Sequence, residues 1–122
     1  MPWSATREGT GQPAKSAVLM YELEAMNGPL DGKRWAFSRD ISIGREGTAV
    51  GAELSTDRAA SRRHAEVRVT PEGLLLNDLE SRNGTFVDGS PITAPMLIAA
   101  GQPFVVGRTM LRVLDKALAK KA

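Results

Sequence analysis

The chain has no cysteine, which excludes disulfides and thiolate-ligated metals. It has one histidine, so no second imidazole is present to build a zinc site. No metal and no cofactor are expected. Aromatic residues make up 5% of the chain, too few for the stacking platform on which single-stranded nucleic acids bind. The net charge is +2, short of the basic excess of a dedicated nucleic-acid binder. No apolar run approaches the roughly 20 residues that cross a bilayer. Met1 to Ser16 lacks the apolar centre of a secretory signal. The expected location is therefore cytoplasmic, with neither nucleic acid nor membrane as partner.

What is present suits one ordinary globular domain: 122 residues, 42% hydrophobic and 25% charged. Residues 1–15 are rich in Gly, Pro, Ser and Thr and read as a flexible N-terminal tail. Residues 16–115 read as the domain and residues 116–122 as a C-terminal tail. From Ala17 onward Leu19, Tyr21, Leu23 and Ala25 alternate with Met20, Glu22 and Glu24, the period of a half-buried strand. Further strands are expected at Trp35–Phe37, Ile41–Ile43, Ala65–Val69, Leu74–Leu76 with Leu79, Thr85–Val87, Phe104–Val106 and Met110–Leu114. Asn27-Gly28, Asp31-Gly32, Thr70-Pro71-Glu72-Gly73 and Asp88-Gly89 punctuate them as turns. Many short strands with turn signals between them predict an all-β sandwich or barrel. Only Asp115 to Ala122 looks helix-prone, and eight residues are too few to hold a helix alone.

Three clusters fall on the turns: Gly44-Arg45, Ser61-Arg62-Arg63-His64 and Ser81-Arg82-Asn83-Gly84-Thr85. They gather guanidinium forks, hydroxyls and an amide, the donors that surround a phosphate oxyanion. Gly44 admits a close backbone approach. Arg45 can grip two phosphate oxygens at once, and Ser61 can donate its hydroxyl. Plainer readings exist for each: Arg45 as a surface arginine paired with Glu46, Asn83-Gly84 as a simple turn, and Arg58 and Arg63 as solvated loop charge.

The order G-R, S-x-x-H, N-G-T, followed by Phe86-Val87-Asp88-Gly89, resembles the forkhead-associated (FHA) domain family over roughly residues 17 to 115. That resemblance implies a β-sandwich of two antiparallel sheets with its ligand site in the apical loops. It implies a non-enzymatic module that binds phosphothreonine peptides in signalling by Ser/Thr kinases. Carried onto this chain, Arg45 and Ser61 hold the phosphate, Arg62 and Arg82 add charge, and Asn83 bonds the peptide backbone. Gly44, His64, Gly84 and Thr85 support the site, His64 through hydrogen bonds to backbone. Members of the family read a residue three places beyond the phosphothreonine, one means being an arginine at position 59. Ala59 stands there instead, which weakens an acidic preference unless Arg58, Arg62 or Arg82 supplies it.

Other motifs fail on spacing or context. Gly28-Pro29-Leu30-Asp31-Gly32-Lys33 is one residue short of a P-loop and Arg34 replaces the Ser or Thr. Gly9 to Ala14 fits a dinucleotide fingerprint, but no strand precedes it. Ser61 and His64 lack the G-x-S-x-G setting of a hydrolase. Asn83-Gly84-Thr85 is formally a glycosylation acceptor, without a secretion signal to go with it. Two alternatives carry weight. One is a phosphate-independent assembly sandwich docking through exposed Met96, Leu97 and Ile98. The other is self-recognition, with Thr6 or Thr10 of the tail phosphorylated and folded back into the site.

Overall fold

A computed structural model describes residues 20–47 and 50–115. Among the described residues eleven strands run in chain order: β1 (Tyr21–Ala25), β2 (Arg34–Phe37), β3 (Asp40–Gly44), β4 (Ala52–Glu53), β5 (Ala65–Thr70), β6 (Gly73–Asp78), β7 (Thr85–Val87), β8 (Ser90–Pro91), β9 (Met96–Ile98), β10 (Phe104–Val106) and β11 (Thr109–Asp115). One sheet has the order β9-β6-β5-β3-β4 and the other β2-β1-β11-β10-β7-β8. The expected sandwich is therefore present, with one departure from two purely antiparallel sheets. Strand β4 pairs parallel to β3, Ile43 opposite Ala52 and Gly44 opposite Glu53. Alternation in each strand turns one set of side chains inward. Leu23, Ile43, Val67, Leu76, Phe104, Leu111 and Val113 form the dry centre, each at most 1% exposed.

The strand expectations hold where apolar residues alternate. The pattern over 17–19 lies outside the described residues, as do the two tails beyond residue 115 and before residue 20. Leu79 stands just past the end of β6, although its amide still reaches the His64 carbonyl at 2.8 Å. Asp115 is the last residue of β11, and the rest of the helix-prone stretch, 116–122, lies outside the described residues. Strands β4, β8 and β9 are too short for a period to show. Within β9, Met96 and Leu97 are exposed, but Ile98 is 6% exposed and belongs to the core. The apolar contact surface expected at 96–98 is thus smaller than the sequence suggests. The turn signals are obeyed: Asp88 and Gly89, at φ 53° and 82°, connect β7 to β8 with both residues in the left-handed region. The Gly28–Leu30 segment of the false P-loop is one turn of 3₁₀ helix.

Glu24 breaks the simple alternation, lying on the outer face of β1 yet buried. Arg112 on β11 donates to it at 2.7 Å, and Arg34 on β2 lies 3.2 Å from its other oxygen. The hydrogen bond from Arg112 holds its carboxyl below the ordinary value of 4.5, with burial opposing and Arg34 assisting. A carboxyl lowered in the folded state adds stability above its unfolded value and loses it as pH falls through the folded value. The thermal midpoint is therefore expected to drop on acidification below about pH 4.5, and the drop should be shallower in Glu24→Gln. Parallel acid limbs in circular-dichroism melts of the two proteins would contradict this.

Candidate functional site

The three clusters meet at one end of the sandwich. Strand β3 ends at Gly44, and the chain at 61–64 passes directly behind it. A Cβ on Gly44 would stand 2.1 Å from the Arg62 carbonyl oxygen, so only glycine fits. Backbone bonds hold the two segments together: Arg45 N–H to Ser61 C=O at 2.9 Å, and His64 N–H to Ile43 C=O at 2.8 Å.

His64 is fully buried. Its Nδ1 accepts the Ser61 backbone N–H at 3.0 Å. Its Nε2 lies 2.8 Å from the Gly84 carbonyl. A carbonyl can only accept, so Nε2 carries the proton and Nδ1 is the bare nitrogen. This tautomer couples the 61–64 segment to the 81–85 segment. It also excludes a Ser–His nucleophilic dyad, because Nδ1 takes the serine amide and not its hydroxyl.

The Ser61 hydroxyl oxygen accepts the Arg82 N–H at 2.9 Å. The oxygen is thereby fixed, and its one proton remains for donation. Asn83 is exposed and donates through Nδ2 to the Ala59 carbonyl at 2.8 Å, which leaves its amide oxygen and second N–H facing solvent. Arg45 is half-buried; its Nε donates to the Ala60 carbonyl at 3.1 Å, leaving the terminal amino groups of the fork. Glu46 pairs not with Arg45 but with Arg62, at 3.7 Å between two largely exposed side chains. Such a pair is worth little and is readily exchanged. Arg63 and Arg82 are exposed. Gly84 adopts φ 89°, the left-handed turn expected of it, and the Thr85 side chain is buried.

Two further carboxylates shape the site, and the sequence patterns passed over both. Asp78 accepts from the Ser81 hydroxyl at 2.5 Å, the Ser81 amide at 3.1 Å and the Thr85 hydroxyl at 2.7 Å. Ser81 in turn receives the Gly84 N–H at 2.8 Å, so this carboxylate builds the turn that presents Asn83. Burial pushes the Asp78 carboxyl upward, but the Ser81 and Thr85 hydrogen bonds outweigh it and hold it below its ordinary value. Asp57, buried, takes the amides of Ala59 and Arg108 and the Thr109 hydroxyl. It fastens the 55–60 loop to the turn between β10 and β11. Its one sequence signal is local: an Asp two residues before Ala59 is spaced for an Asx turn.

The FHA domain profile matches residues 41–107, more than half of the chain. The chain belongs to the FHA domain family. The FHA domain-containing protein FhaB of Mycolicibacterium smegmatis is 30% identical over 99 residues, covering 75% of this chain and 59% of that protein. The chain thus spans about three-fifths of the length of that relative. The FHA domain of CT664 from Chlamydia trachomatis superposes with a TM-score of 0.72 at 24% identity, over 79% of this chain and 97% of that one, a likeness of fold. An FHA domain solved in a study of phosphothreonine-dependent interactions reaches a TM-score of 0.67 at 29% identity, over 78% of this chain and 95% of that one.

Gly44→Ala forces the β3 end away from Arg62. It is expected to destabilise the fold by about 1–3 kcal/mol, the usual range for overpacking, read as a lowered urea midpoint. Gly89→Ala, with no heavy atom within 4 Å of its added Cβ, should cost only the positive-φ penalty of about 1 kcal/mol. Equal midpoints for the two variants would show that the close approach is not a constraint.

Proposed function

We propose that this chain is a phosphothreonine-peptide binding module acting in Ser/Thr kinase signalling, with residues 16–115 as the binding unit. The observation that carries the reading is the convergence at one end of the fold of the free end of the Arg45 fork, the unspent Ser61 proton and the open edge of the Asn83 amide. Arg45 and Ser61 take the phosphate, Arg62 and Arg82 add positive charge, and Asn83 bonds the peptide backbone. Gly44, His64, Gly84 and Thr85 hold these in place. The partner is a phosphothreonine protein, with a Ser/Thr kinase upstream. Nothing in this arrangement performs chemistry on the ligand.

Magnitudes fit a modest affinity. A charge-assisted hydrogen bond nets roughly 1.5–3 kcal/mol, so four or five to one phosphate give on the order of 10 kcal/mol. Association costs on the order of 4–15 kcal/mol. Backbone contacts through Asn83 and side-chain contacts supply the surplus, and micromolar affinity, about −8 kcal/mol, is the expectation. One threonine methyl is worth under about 1 kcal/mol by transfer, so any preference over phosphoserine also draws on the stiffer β-branched rotamer.

Calorimetric titration with a degenerate phosphothreonine library is expected to give micromolar binding, absent with unphosphorylated peptide. Arg45→Ala should weaken it more than about tenfold, a loss of one charge-assisted bond or more. Asn83→Ala should weaken it with the phosphate contacts intact. Binding that ignores phosphate, or survives Arg45→Ala unchanged, would return the assembly reading through Met96 and Leu97.

A further inference from the structure

The chain has three asparagines, Asn27, Asn77 and Asn83, and two of them precede a glycine. Asparagine is thermolabile because the backbone nitrogen of the next residue can attack its side-chain carbonyl carbon. A following glycine removes the Cβ that would crowd that nitrogen and leaves the backbone free to turn. The fold treats the three asparagines differently. Asn77 lies inside β6 opposite Glu66, and Asp78 follows it. Strand pairing holds its backbone extended, and the next residue carries a Cβ. Asn27 precedes Gly28, but its side chain is engaged at both ends. Its Oδ1 accepts the Met110 N–H at 2.8 Å, and its Nδ2 donates to the Arg108 carbonyl at 3.2 Å. Rotating its carbonyl carbon onto the Gly28 nitrogen breaks both bonds.

Asn83 has neither restraint. It is exposed and stands between β6 and β7, outside any strand. Its Nδ2 is tied to the Ala59 carbonyl at 2.8 Å, while its amide oxygen faces solvent. The next residue, Gly84, already sits at φ 89°. The Gly84 N–H is held by Ser81 Oγ at 2.8 Å, and opening that bond frees the attacking nitrogen. Attack places negative charge on the Asn83 amide oxygen. That oxygen lies at the cationic end of the fold, next in the chain to Arg82, where nearby positive charge stabilises an oxyanion.

We propose that Asn83 is a site of spontaneous deamidation that silences the binding end as the protein ages. The Gly84 nitrogen gives its proton to water and bonds to Cγ of Asn83. The Cγ–Nδ2 bond breaks, and ammonia leaves with a proton taken back from water. Water then opens the resulting succinimide. Addition at Cγ gives aspartate; addition at the main-chain carbonyl carbon gives isoaspartate, with the chain now running through Cγ. Water is the sole co-reactant, and nothing is oxidised or reduced. Aspartate replaces an amide donor with a charge that repels phosphate. Isoaspartate adds a backbone carbon before Gly84 and pulls the Gly84 carbonyl from its 2.8 Å contact with His64 Nε2. The loss of binding rests on the phosphopeptide reading, whereas the deamidation does not. A peptide backbone bonded to the Asn83 amide holds it away from Gly84, so occupied copies keep their site and idle copies lose it.

The test is incubation of the protein at neutral pH, with tryptic peptide maps taken over time against a time-zero digest. The three asparagines fall in three separate tryptic peptides, 16–33, 69–82 and 83–108. Each acid product is read by its own mass shift, and fragment ions separate Asn83 from Gln102 in the last peptide. Asn83 is expected to convert about tenfold faster than Asn27 or Asn77, a barrier difference of about 1.4 kcal/mol. Titration of the same samples with a phosphothreonine peptide selected from the library should lose binding sites in step. Saturation with that peptide during incubation should slow the conversion. Fresh Asn83→Asp should bind at least about tenfold more weakly than the fresh native chain. In Asn83→Gln the active fraction should hold steady with time, whatever its starting affinity. Conversion equal at Asn27 and Asn83, or none at Asn83, overturns the site. Full binding after Asn83 has converted overturns the switch. Fresh protein that never binds the phosphopeptide removes the functional reading, while the peptide map still decides the chemistry.

Discussion

One buried imidazole holds the binding end of this domain together. The segment at 61–64 leads into β5, in the five-stranded sheet, and Gly84 leads into β7, in the six-stranded sheet. His64 bonds to both segments. It spans the gap at the mouth of the sandwich, where no strand can run and no ladder hydrogen bond can form. A hydrophobic residue of the same volume would fill the space and leave the Ser61 amide and the Gly84 carbonyl without partners, each costing about 1–3 kcal/mol. A cationic side chain could satisfy the carbonyl but not the amide. Neutral histidine offers a donor and an acceptor on opposite sides of one rigid ring. Ser61, Arg82 and Asn83 all hang from the two segments so joined.

The charge distribution follows the same logic. Asp57 and Asp78 turn inward onto amides and hydroxyls, where a carboxylate stabilises an irregular loop by accepting several hydrogen bonds. The arginines on those loops turn outward. A chain of net charge only +2 thereby presents a cationic face at one end. Elsewhere the charges are matched, across neighbouring strands where Glu24 meets Arg34 and Arg112 and along β5 where Arg68 meets Glu66. Composition reports the sum of charges, whereas the ligand meets their arrangement.

This contrast also explains what could be read in advance. Strands such as β5 and β11 announced themselves because alternate residues face a dry core, which writes a period of two into the sequence. Gly44, Ser61, His64 and Asn83 were legible because turn and donor chemistry restrict which residues can stand there. Strands β4 and β9, at two and three residues, carry no period. Ile98 reads as surface in one dimension because its neighbours Met96 and Leu97 are exposed, yet it belongs to the core. The parallel pairing of β4 with β3, Ala52 beside Ile43, rests on two residue pairs between segments close in the chain and leaves no pattern in the sequence. Asp57 and Asp78 were missed because a buried carboxylate serving backbone amides looks, in one dimension, like any polar loop residue. The plain pairing of Arg45 with Glu46 failed for a related reason. The Arg45 fork is drawn to the Ala60 carbonyl, while the Glu46 amide bonds the Arg62 carbonyl at 3.3 Å and so brings the Glu46 carboxylate beside Arg62.

On the phosphopeptide reading, the degree to which each donor is already fixed sets its share of the affinity. Arg45 is clamped through Nε to Ala60, and Ser61 is clamped through its oxygen to Arg82. Both meet the ligand with most of their rotamer freedom already lost, so little of their bond energy goes to ordering. Arg62 has 78% of its side chain in solvent and must exchange Glu46 for the phosphate. The exchange trades one screened pair for another and nets little. Arg82 is fixed at its amide and free at its guanidinium, so it supplies long-range attraction more than a defined bond. Association rate should therefore follow the loose arginines, and residence time the clamped pair, because steering needs only charge while retention needs geometry.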